Sequence, residues 1–380
     1  MKRKLRFIYM ICIAFLIGFF YTNAVYTNLV YKIVEGLTFY PWYVHILFIL
    51  LGLQLGITIH ELGHFISAKK QGIPVKAFYA FIFVFVKQDG KWRFSIMPKF
   101  AKMIGGLVML SIESVTDKTA YETTKSKLSK IINAGPKTSL YYGVLTTIML
   151  CISVFTNAYY LIGFLFTIGI FNILFTVLVM ISSSFSKQGL YGDFVASKKI
   201  RTDEIFTLAY ITSGLSFSET ETQSMDYLWP QIIEVLETYP VMLNPQVKSL
   251  LNNYLEETVY KERIGCSSID EKITTAFRHD PRNEEEYGLF FEMFLHQYSH
   301  GNTKYALERL EQVKTIKLNI DDKVVQYWHH YIEHVLGVEN HTNFLAKTKN
   351  LYPNAMYWMF HPIVRNQEVV DFAMMKKDNL

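Results

Sequence analysis

The chain has 380 residues, about half of them hydrophobic, three cysteines and a formal net charge of +5. Cys12, Cys151 and Cys266 are too scattered for a disulfide framework or a thiolate metal site, and the small positive excess sits in basic flanks of apolar segments, so nucleic acid is not an implied partner. Long apolar runs fill residues 1 to about 182 and a charged, helix-patterned sequence follows, which divides the chain into a transmembrane domain, 1–198, and an all-α domain, 199–380.

In chain order, Met1-Lys2-Arg3-Lys4-Leu5-Arg6 followed by Phe7 to Phe20 has the shape of a signal anchor. No small-x-small cleavage site follows, so an uncleaved first transmembrane helix is expected over Leu5 to Thr22. A second is expected from Tyr43 to Ala68, flanked by Pro41-Trp42 and Lys69-Lys70. Ile73 to Pro98 has β character: Phe78 to Val86 is aromatic and β-branched, Trp92 to Ile96 alternates, and Asp89-Gly90 is a two-residue hairpin signal. That hairpin reads either as a structural element on the membrane surface or as an edge strand that pairs with substrate backbone. A third membrane helix is expected from Ser139 to Tyr159 and a fourth from Tyr160 to Ile181, an antiparallel pair. Lys and Arg crowd residues 69–137 while Asn23 to Tyr40 holds only Lys32 and Glu35, which puts the N-terminus, the 69–137 segment and the C-terminal domain in the cytoplasm.

The second helix ends in His60-Glu61-Leu62-Gly63-His64. Two imidazoles four residues apart share a helical face and can reach one metal ion, while Glu61 beside them can take a proton from a metal-bound water. On a soluble helix such a string could be an ordinary solvated face. Here Ile46-Leu47-Phe48-Ile49-Leu50-Leu51 and its continuation leave no solvated face, and ionisable groups at membrane depth require a partner or a task. Zinc suits nitrogen and oxygen donors with an open position, although iron or cobalt would also be accepted.

These features resemble the site-2 protease family of intramembrane zinc metalloproteases. The resemblance runs over roughly residues 43 to 195, through His60 to Lys69, Gly72-Ile73-Pro74-Val75, the hairpin, Gly105-Gly106-Leu107-Val108-Met109 and Ala134-Gly135-Pro136. It implies a mainly α membrane protein with four transmembrane helices and a zinc-bound water activated by Glu61. The substrate it implies is a membrane-anchored protein or signal-like peptide in the lipid bilayer. The family's third metal ligand is an Asp near the last core helix. Asp193 fits this role as the sole acidic residue between Glu122 and Asp203, with Gly189 and Gly192 allowing irregular backbone; its other reading is a helix N-cap. The chain departs from the family in having Gly before that Asp and in lacking an N-P-x-P element, for whose Asn the available residue is Asn172.

From Arg201 the sequence reads as helices with short turns: Glu284 to Ser299, Thr303 to Ile316, Val324 to Leu336 and Thr342 to Leu351, with Gly301 and Gly337 as stops. The lengths are tetratricopeptide-like, which implies a cytoplasmic protein or peptide partner, against the plainer reading of a small bundle capping the membrane domain. Two further histidine patterns, His330 to His334 and the His296/His300 pair, read as solvated helix faces. They lack, respectively, a suitable downstream Glu and a nearby acid. The competing function for the chain is a non-catalytic membrane peptide receptor on a degenerate protease scaffold.

Overall fold

The computed structural model describes residues 11–341 apart from 12, 20, 23–28, 89–90, 97, 99–104, 113, 188–189, 216–220, 262, 315–321 and 340. The described residues between 11 and 22 are helical, and the rest of the expected first membrane helix lies outside them. Part of the 23–40 segment, expected to be a loop, forms helix α1 (Leu29–Phe39). Helix α2 (Trp42–Lys70) follows Pro41 and carries Lys69 and Lys70 in its last turn, where cations face the negative end of the helix.

A four-stranded antiparallel sheet follows: β1 (Val75–Ala80), β2 (Phe83–Gln88), β3 (Lys91–Ile96) and β4 (Gly106–Leu110), in the order β3-β2-β1-β4. The expectation of a single hairpin is corrected in two ways. The aromatic run from Phe78 to Val86 is two strands, folded back by a two-residue turn at Phe81-Ile82 that pairs Ala80 with Phe83. Phe81 has a positive φ of 55°, which a tight hairpin turn demands at its first central residue and which costs a bulky side chain strain. Phe81 N–H donates to Gly105 O at 2.9 Å and its ring packs in the cluster around Ile57, Phe78 and Ala80, which offsets that strain. The second correction is that Gly106–Leu110 forms a strand on β1. Gln88 pairs with Lys91 across the Asp89-Gly90 step, whose own residues lie outside those described.

Helix α3 (Lys118–Ile132) begins with Asp117 accepting Ala120 N–H at 2.8 Å and buries Tyr121, Leu128, Ile131 and Ile132. Helices α4 (Ala134–Ser153) and α5 (Tyr159–Ser183) form the expected antiparallel pair, but α4 starts and stops earlier than its apolar run suggests. Ala134-Gly135-Pro136 is its first turn, where proline lacks no needed N–H, and residues 154–158 make the connection. Among the described residues two helices, α2 and α5, are long and apolar enough to cross a membrane. Small residues set their contacts: a Cβ on Gly163 would collide with the backbone of Gly36, so α1 and α5 touch backbone to backbone.

The chain returns from α5 through a short hairpin, β5 (Ser186–Lys187) and β6 (Leu190–Tyr191), into α6 (Asp193–Thr202), which runs unbroken through residues 198 and 199. The remaining helices are α7 (Glu204–Leu215), α8 (Glu221–Thr238), α9 (Pro245–Tyr260), α10 (Ser267–Phe277), α11 (Glu284–Ser299), α12 (Thr303–Lys314) and α13 (Asp322–Val335). Helix α11 has the limits its sequence pattern predicts, with Asn283 capping Glu286 N–H at 3.0 Å and Gly301 turning the chain at φ 83°. Gly337, at φ 69°, is likewise a stop after α13, and Thr342 to Leu351 lies outside the described residues. One apolar core runs from Ala68, Ile73 and Val75 through α3 and α6 into α13, so sheet, connector and helical array share buried surface.

Candidate active site

The three residues expected to hold a metal meet at one point. His60 and His64 lie on one face of α2, with their Nε2 atoms 3.2 Å apart. Asp193 Oδ2 stands 3.2 Å from His60 Nε2 and 3.5 Å from His64 Nε2. Neighbouring ligands of a tetrahedral zinc with bonds of about 2.0–2.1 Å are separated by about 3.3 Å. Two imidazole nitrogens and one carboxylate oxygen at these spacings therefore fit a zinc ion in both size and donor chemistry.

The far side of each imidazole is fixed. His64 Nδ1 lies 2.9 Å from Ile131 O at the end of α3; a carbonyl only accepts, so Nδ1 carries the proton and Nε2 keeps its lone pair. His60 Nδ1 lies 3.0 Å from the hydroxyl of Ser139 on α4, itself buried. Asp193 is the first residue of α6, and Gly192 occupies the N-cap position, so the carboxylate is turned to the histidines instead of capping the helix. A Cβ on Gly192 would collide with Ser182 O, which explains the glycine before this aspartate. Burial alone would raise the Asp193 pKa, but its side-chain contacts with His60 and His64 outweigh it and hold the carboxyl well below its ordinary range.

Glu61, next to His60 on α2, is only 5% exposed. Gly106 of β4 lies directly against its side chain, and a Cβ there would overlap Glu61 Cγ and Cδ. Gly135 plays the same part for His64, whose Nε2 occupies the space a Cβ would need. The Gly105-Gly106 and Ala134-Gly135-Pro136 stretches, weak as isolated motifs, thus mark where β4 and α4 approach the reactive side chains. Sequence reasoning missed Ser139 and the Ile131 carbonyl, which no local pattern announces. Asn172 is not brought to this point: it donates to Tyr142 OH at 2.8 Å and lies beside Gly52, eight residues before His60, or roughly 12 Å along the helix axis.

The two other histidine patterns are not the solvated faces expected. His334 is buried and its Nδ1 accepts the His341 N–H at 3.2 Å, while His330, Glu333 and His341 form a closed hydrogen-bonded group. His296 is fully buried, and the acid its sequence neighbourhood lacks is supplied from α10 by Asp270, 3.1 Å from its Nε2.

A helix-borne imidazole pair and a returning carboxylate thus meet near a buried glutamate at the end of an apolar helix. The model of peptidase family M50 matches residues 48–353, and the chain belongs to this family, that of the site-2 proteases, membrane-embedded zinc metalloproteases. No curated protein and no solved structure matches the chain.

Proposed function

We propose that the chain is an intramembrane zinc endopeptidase that hydrolyses peptide bonds in or near transmembrane segments or signal-like peptides. His60, His64 and Asp193 would hold the metal and Glu61 would act as general base. The observation that carries this reading is the convergence of His60 Nε2, His64 Nε2 and Asp193 Oδ2 beside a buried carboxyl group. A zinc ion held there supplies a Lewis acid that acidifies water and polarises a carbonyl. Glu61 takes one proton from the attacking water as its oxygen bonds to the scissile carbonyl carbon. The same carboxyl then delivers that proton to the departing nitrogen as the C–N bond breaks. Ser139 and Ile131 O hold the imidazoles in place throughout.

Helical substrates hide their peptide bonds, so an extended segment has to be presented. Strand β4 suits this task better than β3 because Gly106 abuts Glu61. Antiparallel ladders alternate, and Gly105 O is already bonded to Phe81 N, so Gly106 and Val108 turn their N–H and C=O groups to the outer edge of β4. A substrate strand added there would run past Glu61.

Helix α4 and the N-terminal segment complete four membrane crossings in this reading, with the N-terminus and the helical array in the cytoplasm and the array, 199–380, offering a surface for a protein or peptide partner. The Lys-rich 69–137 segment supports that orientation. The decisive experiment is Glu61→Gln: zinc at His60 and His64 should be retained and cleavage of a membrane peptide should fall by at least about 100-fold. Full turnover by pure Glu61→Gln protein would overturn the mechanism.

A further inference from the structure

Far along the chain from the proposed catalytic centre, α10 and α11 bring together a second set of donors. Asp270 lies in the first turn of α10, His296 in the last turn of α11, and His300 is the residue that caps α11. Their ligand-capable atoms all lie within 4.8 Å of one another. His296 Nε2 is 3.1 Å from Asp270 Oδ1, and the His296 and His300 rings are 4.1 Å apart between centroids. From these we infer that Asp270, His296 and His300 form a second divalent-metal site, independent of the one at His60, His64 and Asp193.

Each of the three side chains is oriented from behind, as metal ligands are. Tyr254, fully buried on α9 and stacked on Trp229, donates its hydroxyl proton to Asp270 Oδ1 at 2.9 Å. That phenol is itself fixed by the Cys266 N–H at 2.7 Å. Thr258 Oγ1 lies 3.5 Å from His296 Nδ1 on the side away from Asp270. His300 Nδ1 lies 2.8 Å from His296 O, so its proton points at a carbonyl and Nε2 keeps its lone pair. Gly301, at φ 83°, ends the helix so that His300 stands exposed at its tip, giving the site a solvent entrance.

Charge supports the same conclusion. Among the described residues the ion-pair partner of Asp270 is His296, with no Lys or Arg at that distance. A fully buried imidazole beside a carboxylate, with a second imidazole at the mouth, is a donor set of two nitrogens and one oxygen with an open fourth position. Zn²⁺ is the ion such a set selects among the borderline metals. Bound there, it would tie α10 to the end of α11 in the middle of the helical array.

The test uses the full chain in detergent and Zn²⁺ alone as the probe, with zinc per chain and affinity measured by competition with a chromogenic chelator. Wild type should hold two zinc ions. His300→Ala changes an exposed residue, and Asp270→Asn keeps the side chain's size, so both should fold. Each should weaken one site by at least about 10-fold while peptide cleavage is retained. His60→Ala with His64→Ala should lose the other ion and keep this one, so failure of the catalytic reading is separable from failure of this one. Should wild type hold one ion that only the His60/His64 substitutions remove, the inference is wrong. A second ion indifferent to both His300→Ala and Asp270→Asn would overturn it equally.

Discussion

Gly135 and His64 are in such close contact that the imidazole Nε2 occupies the space a β-carbon on residue 135 would fill. Helix α4 is therefore a wall of the proposed metal site, and the absence of a side chain at one position on it sets where the imidazole can sit. Gly135→Ala should push the ring off its line to Asp193. Because misplacing a reacting group by about 1 Å can cost around 100-fold, cleavage should fall by that order, with less zinc bound. Zinc analysis and peptide cleavage check this, and normal values for both would show that the wall yields.

Ser139→Ala removes the partner of His60 Nδ1 and leaves the three proposed metal donors in place. Such outer partners are worth about 10–100-fold in metal affinity. Chelator competition should show that loss, and excess zinc should restore cleavage. An unchanged affinity would mean that His60 is held by packing alone.

The β4 edge gives a prediction with an internal control. Val108→Pro deletes an N–H that faces outward, which an edge strand tolerates, whereas Leu107→Pro deletes one that faces β1. Val108→Pro should keep the fold and zinc and lose cleavage. Leu107→Pro should unsettle the sheet. If Val108→Pro cleaves normally, substrate does not pair with β4.

Lys248 on α9 and Glu286 on α11 form an ion pair at 2.7 Å. Burial raises the Glu286 pKa, but the bond and charge of Lys248 and the Arg282 N–H outweigh it, and the net shift is downward. A carboxyl depressed in the folded state stabilises above its unfolded pKa of about 4.3 and loses that contribution as pH falls through its folded value. Lys248→Met should be less stable than wild type at pH 7 by about 1 kcal/mol, and the gap should close below about pH 4. Denaturation followed by the fluorescence of Trp229 and Trp328 measures it; a gap independent of pH would assign the loss to packing.

What the sequence disclosed depended on whether the determining contacts were local. His60, Glu61 and His64 share one helix, so their spacing alone predicts their meeting, and α11 with its Asn283 cap and Gly301 stop is written in consecutive residues. Asp193 needed the family resemblance, because its approach to α2 depends on the β5–β6 return. The hidden features are those fixed by distant partners. The turn at Phe81 breaks an unbroken aromatic run because Gly105 takes its N–H. Asp270 reaches His296 from another helix, and His334 is buried by packing that its polar neighbours conceal.

The proposed ligands also sit on opposite sides of a long excursion of the chain. His64 belongs to the apolar helix α2, and Asp193 opens the helix that leads into the helical array. An ion held by both would be a cross-link closing the loop from residue 64 to residue 193, of the kind that in the chain-entropy account restrains an unfolded polypeptide by about 5 kcal/mol. The ion would then be a rivet as well as a reagent, and stripping it would loosen the seam between the two halves of the molecule while it silenced the chemistry.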